Sequence, residues 1–178
     1  MALWPKLSRD FRRFREGKGW SVPRGLYEGV LLDAGFQALV AHRMAHTSRR
    51  WRIPVLPAVL RRLAAAFCGV DILPQAEIGG GCVLVHALGI VIGGRSVIGE
   101  DCVLLHGVTL GEVRFEEDTC PRVGDRVVIG AGATLLGGIT IGDDAKIAAG
   151  AVVLDDVPPG HVAVGVPATS RPAAKSIR

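Results

Sequence analysis

Residues 69–93 read GVDILPQAEIGGGCVLVHALGIVIG, an apolar, glycine-rich stretch that carries one aspartate, Asp71, and one histidine, His86. An imidazole titrates near neutral pH, so a histidine can take the proton of a substrate hydroxyl as a general base. A carboxylate on its other ring nitrogen fixes the tautomer and stabilises the imidazolium. His86 as base and Asp71 as its orienter are the candidates for that pair. A second histidine, His106, follows 20 residues later. The competing reading is that His86 is an interface residue and Asp71 caps a turn; spacing alone leaves both open.

The elements that must position these residues follow a six-residue grammar. Aliphatic residues recur at Ile72, Ile78, Leu84 and Ile90, then after a two-residue slip at Ile92, Ile98, Leu104 and Leu110. After a break the series resumes at Val123, Ile129, Leu135, Ile141, Ile147 and Val153. Four residues after most of them sits a small or β-branched residue, among them Ala76, Cys82, Ser96, Cys102, Val127, Ala133 and Ala145. Such hexads predict a parallel β-helix, each hexad one flat side and three hexads one coil. The aliphatic residue points inward and the small one fills the space beside it, so Cys82 and Cys102 are expected to be packing residues. His86 and His106 each stand at the third position of a hexad, an outward corner. The eighteen-residue coil and the two-residue slip place them near one edge, a coil apart. The segment EVRFEEDTCPR, residues 112–122, fits no hexad and is expected to leave the coil as a loop, a common place for function.

Residues 1–70 have a different grammar and are expected to form a small helical domain ahead of the β-helix domain at 71–178. PKLSRDFRRFREG alternates charged and apolar residues at helical spacing and ends at Gly17. The run from Pro23 to Arg50 carries an amphipathic pattern, with Gly35 the expected break. PAVLRRLAAAF predicts a further helix with Pro57 near its first turn.

Composition narrows the function. The 178 residues are 49 % apolar but only 5 % aromatic, with 24 glycines, which suits a thin repetitive core. The net charge is +4, and the basic excess of residues 1–62 reads as a solvated helix face; no nucleic-acid-binding motif accompanies it. Four cysteines, Cys68, Cys82, Cys102 and Cys120, contain no C-x-x-C, which argues against structural zinc. With no signal peptide, they point to free thiols in the cytoplasm. Arg61 and Arg62 interrupt the apolar run at 53–70 well short of a membrane span.

Several segments carry a family resemblance. GFQALVAHRMAH, DILPQAEIGGGCVLVHALGIVIG, VTLG, IGAGATLLGGITIG, AAGAVVLDDVPPG and GVPA stand in the order found in bacterial serine O-acetyltransferases of the hexapeptide-repeat acyltransferase superfamily. The chain resembles that family from about Leu32 to Ala168. The resemblance implies a left-handed coil, a homotrimer, and acetyl-CoA as co-substrate in a groove between two subunits, without a metal. It implies that His86, oriented by Asp71, deprotonates a small-molecule hydroxyl acceptor for direct attack on the thioester. Gly111, Ala131 and Ala149 would line the CoA groove, and Arg171 or Lys175 would meet its phosphates. Val85, His106, Asp118 and Cys120 fall at acceptor-side positions.

The departures from the family pattern concern the acceptor. The family has an aspartate before the catalytic histidine, and this chain has Val85. The family's Asp-Arg-His-Pro loop end reads Asp118-Thr119-Cys120-Pro121 here, in a loop one residue shorter. The family's acidic residue from the helical domain has no equivalent near Trp20. A modified or carrier-bound serine, a sugar hydroxyl or another small alcohol therefore stands beside free serine as acceptor. Two further classes share the fold. A zinc-dependent carbonic anhydrase needs a third histidine that neither His42, His46 nor His161 is placed to supply; a non-catalytic scaffold does not explain the Asp71–His86 pair. The helical domain is short for joining two trimers. Arg178 follows Ile177, which argues against docking of the family's partner sulfhydrylases, since these take a terminal isoleucine.

Overall fold

The computed structural model describes residues 3–114 and 119–173. Four helices precede the strands: α1 (Leu3–Gly17), α2 (Val22–Leu31), α3 (Ala34–Arg50) and α4 (Leu56–Cys68). The expected break in the long helical run comes at Leu32–Asp33, before Gly35. Asp33 caps α3 by accepting the Phe36 N–H. Gly35 instead allows a close approach, since a β-carbon there would lie 2.1 Å from the Leu84 carbonyl oxygen. It is the point at which α3 presses onto the solenoid.

The remaining chain winds through three parallel sheets. One holds β1 (Asp71–Ile72), β4 (Val91–Ile92), β7 (Thr109–Gly111), β10 (Thr134–Leu136) and β13 (Val152–Val153). The second holds β2 (Glu77–Ile78), β5 (Val97–Ile98), β8 (Arg122–Val123) and β11 (Thr140–Ile141). The third holds β3 (Val83–Val85), β6 (Val103–Leu105), β9 (Val128–Ile129) and β12 (Lys146–Ile147), continued by β14 (His161–Gly165) and the antiparallel β15 (Ala168–Pro172). From β1 to β13 each strand is followed by one on the next sheet, so consecutive strands on one sheet are a full coil apart.

Register is set by the inward aliphatic residues. Ile72 pairs with Ile92, Ile98 with Val123, Leu104 with Ile129, and Leu135 with Val153. Every hexad aliphatic is buried, and so are the small residues Ala76, Cys82, Ser96, Cys102, Ala133 and Ala145. Burying each aliphatic side chain is worth about 1.5–3 kcal/mol. Ile90 is buried but does not take the strand position, which belongs to Ile92. Its carbonyl accepts the Asp71 N–H, as the Val108 carbonyl accepts from Val91. The two-residue slip is therefore a widened corner between β3 and β4, and that corner contains His86. The larger insertion lies between β7 and β8, and Arg122, expected in the loop, already opens β8.

A buried ion pair between α1 and α3 helps fasten the helices to the solenoid. Arg43 of α3 contacts Asp10 of α1 at 3.1 Å and donates to the carbonyls of Ile78 and Gly79. Asp10 also accepts the Gly81 N–H at 2.7 Å. Buried charges need such complete pairing. Phe14 and Phe36 stack at 5.2 Å above it.

Candidate active site

His86 sits on the widened corner in the left-handed region, φ 50°, and its side chain is exposed. The corner is pinned by the Leu88 N–H, which donates to the His86 carbonyl at 2.6 Å. Val85 pairs with Leu105, so His86 and His106 follow their strands in register at one edge. His106 is exposed as well. Among the described residues neither imidazole has a hydrogen-bond partner, so both are open to a ligand.

Asp71 opens β1 on the far side of the same corner, its N–H donating to Ile90 at 2.9 Å. Its carboxylate is not on His86. Arg61 of α4 grips it bidentately, Nε to Oδ1 at 2.5 Å and Nη2 to Oδ2 at 2.7 Å. The Arg61 hydrogen bonds hold the Asp71 carboxyl below the usual carboxylate range. Sequence reasoning missed Arg61, registering it only as a charge that breaks an apolar run. Its one signal was a basic residue ten positions before Asp71 on a predicted helix.

The histidine edge continues down the molecule. Leu104, Ile129 and Ile147 are in register, so Ala131 and Ala149 stand where His106 stands in its own coil. Beside them runs a strip of backbone. Gly107 has φ 68°, and a β-carbon on it would lie 3.4 Å from the Gly132 α-carbon. An extended ligand can approach the main chain closely along this strip.

The other predicted residues lie on a different edge. Gly111 ends β7 and accepts the Gly137 N–H at 2.9 Å. Glu112, Cys120 and Arg122 line an open groove of about 940 Å³ together with Arg49, Glu77 and Arg95. Cys120 is buried, with Sγ 3.9 Å from Glu112 Oε1. Thr119 is exposed. Asp118 and Lys175 lie outside the described residues; Arg171 lies on β15, exposed. The histidine edge and the loop edge flank the sheet of β1, β4, β7, β10 and β13. One chain does not bring them together.

Burial pushes the Cys68 thiol up, and Cys82 and Cys102 face the interior. All four cysteines are free thiols. No helix among the described residues is long and apolar enough to cross a membrane.

The bacterial transferase hexapeptide (six repeats) family matches residues 120–155. A serine acetyltransferase of Helicobacter pylori is 44 % identical over 143 residues, covering 80 % of this chain and 84 % of that protein. The chain belongs to the serine acetyltransferase family. The Neisseria gonorrhoeae serine acetyltransferase solved in complex with serine superposes with a TM-score of 0.85 at 40 % identity, over 94 % of this chain and 68 % of that one. The Brucella abortus serine acetyltransferase solved in complex with coenzyme A gives 0.85 at 35 % identity, over 93 % and 66 %. Membership makes this chain an acyltransferase enzyme. Its solenoid is the left-handed β-helix of hexapeptide repeats that the hexads predict together with the family resemblance.

Proposed function

We propose that this serine acetyltransferase family member moves the acetyl group of acetyl-CoA to the hydroxyl of a small acceptor, with His86 as general base. The observation that carries this is the exposed, unpartnered imidazole on a corner widened by two residues, with Asp71 across that corner. His86 takes the acceptor's O–H proton as the oxygen attacks the thioester carbonyl. The C–S bond then breaks, the imidazolium returns the proton to the leaving sulfur, and an O-acetyl ester and CoA result. A carboxylate has about four acceptor sites, so Asp71 can keep Arg61 and still receive the His86 ring N–H. Arg61 then acts as a positioning residue that aims the carboxylate and keeps it ionised.

The CoA arm is assigned to the histidine edge, along Ala131 and Ala149. Gly111 and the loop of a second copy complete the groove. A homotrimer supplies that second copy, and the cytoplasm, where thiols stay reduced, is the compartment assigned. The acceptor is serine or a serine-like hydroxyl compound. Val85, which brings no charge, and the buried Cys120 favour a second reading, in which the acceptor is a sugar or another small alcohol without the amino-acid zwitterion.

Thiol release from acetyl-CoA, followed with L-serine and a panel of hydroxyl acceptors, tests the reading. His86→Ala should cut the rate by about 10²–10⁴-fold with the best acceptor. Release by neither protein with any acceptor would favour a non-catalytic scaffold.

A further inference from the structure

On the histidine edge nothing beside His86 can recognise a charged acceptor. Val85, Ala87 and Leu88 are apolar, and Asp71 is gripped by Arg61. In a site shared by two copies, the recognition of charge therefore falls to the loop edge, which carries the groove of about 940 Å³.

Two groups on that groove have no ionic partner among the described residues. Glu112 directly follows β7 and is half-buried. The Cys120 thiol faces its Oε1 at 3.9 Å, a weak donor that leaves most of the carboxylate's roughly four acceptor sites open. A half-buried carboxylate without a cation calls for one. Arg122 opens β8, its side chain exposed. Its partners across the sheet are Val97 and Thr140, which bring no charge. Glu112 and Arg122 line the same groove without pairing with one another. Glu77 lines it too, two strands from Arg122 on the same sheet, but it is exposed and water satisfies it. A carboxylate and a guanidinium on one groove, held apart, match a ligand that carries an ammonium and a carboxylate.

We infer that the acceptor is a zwitterion, a β-hydroxy α-amino acid, whose ammonium is held by Glu112 and whose carboxylate is held by Arg122, which makes these two residues the specificity determinants of the acceptor side. The inference deepens the proposed acetyl transfer and rests on its reading that the histidine edge of a second copy faces this groove. Hydrogen bonds between ionised groups are about twice as strong as neutral ones, and a guanidinium meets a carboxylate with two of them. Arg49 and Arg95 line the same groove and add to the field that draws the carboxylate in. Glu112 fixes where the ammonium goes. The uncharged β-hydroxyl is left to reach across to the imidazole.

Steady-state thiol release by the whole protein tests this, with L-serine compared with 2-aminoethanol, which lacks the carboxylate, and 3-hydroxypropanoate, which lacks the ammonium. Wild type should favour L-serine over both by at least about 100-fold in kcat/KM. Glu112→Gln should raise KM for L-serine about 10–100-fold and leave 3-hydroxypropanoate nearly unaffected. Arg122→Gln should raise KM for L-serine by a similar factor and leave 2-aminoethanol nearly unaffected. KM for acetyl-CoA should hold in both variants. A merely structural role weakens all three acceptors alike, so equal losses overturn the inference, as does an unchanged KM for L-serine in both variants. Faster turnover of a sugar or an uncharged alcohol than of L-serine overturns the clamp and leaves acetyl transfer standing. Where no acceptor releases thiol, calorimetry of L-serine with CoA present decides. Binding that weakens in both variants then supports the clamp while acetyl transfer fails, and the lack of saturable binding overturns the clamp as well.

Discussion

At the residue scale, the decisive contact is the Arg61 fork on Asp71. Arg61→Met leaves the Asp71 carboxylate free to rotate. The rate should fall about tenfold through lost positioning. The loss should fall in kcat, with KM for acetyl-CoA little changed. Arg61→Lys should recover part of the rate, since an ammonium cannot reproduce the bidentate geometry. An unchanged kcat in Arg61→Met would remove Arg61 from the mechanism. The pair also has a stability consequence of definite sign. The Asp71 carboxyl is held below its usual range. Its contribution is therefore present above the ordinary carboxylate pKa of about 4 and is lost as pH falls through the depressed value. Asp71 and His86 stood out in the sequence as candidates because polar residues are conspicuous against a hydrophobic repeat. Arg61 was not, because the contact crosses from a helix to a strand and no periodicity encodes it.

At the element scale, α3 is the part whose fit is tightest. Gly35→Ala would drive a β-carbon into the Leu84 carbonyl, one residue from Val85 and two from His86. Backbone cannot yield there as a flexible side chain would, so α3 must lift. The expected cost is about 1–3 kcal/mol, visible as a lowered Tm, with a loss of activity larger than that loss of stability explains. A Tm unchanged in Gly35→Ala would mean that α3 does not pack at this distance. The sequence marks Gly35 as a break because glycine weakens helices, but its reason here is a tertiary approach, which local propensity cannot distinguish. The same helix carries an acid-sensitive group. His42 is neutral in the fold with a pKa of about 3, while an unfolded histidine titrates near 6.5. The unfolded chain therefore binds the extra proton between those values, and stability should fall by a few kcal/mol as pH drops through that window. Comparing wild type with His42→Phe by denaturant titration across pH 3.5–7 checks this; the variant should show a flatter profile.

At the scale of the whole molecule, the solenoid was readable from one period. The inward hexad residues, their small companions and the excluded loop were all set out by six-residue steps. What the period could not show is which corner each insertion widens, since that depends on the pairing of strands a coil apart: Ile90 satisfies the six-residue count, yet Ile92 is the residue paired with Ile72. The pairing puts His86 at one edge and the break between β7 and β8, with Glu112 and Cys120, at another. If both edges serve one reaction, a site forms only where two copies meet, and cyclic closure gives three such sites in a trimer. Mixing inactive variants tests this directly. Take one variant with His86→Ala and another with the loop 112–121 replaced by a short glycine linker, each inactive alone. After co-refolding at equal amounts, every mixed trimer contains one site with an intact histidine edge facing an intact loop edge. Random assembly puts about three quarters of trimers in the mixed class, so roughly a quarter of the wild-type activity should return. Recovery to that level, with elution at trimer mass, supports the shared site. No recovery in verified mixed trimers would place the whole reaction within one chain, and elution at twice the trimer mass would show that the helices join two trimers.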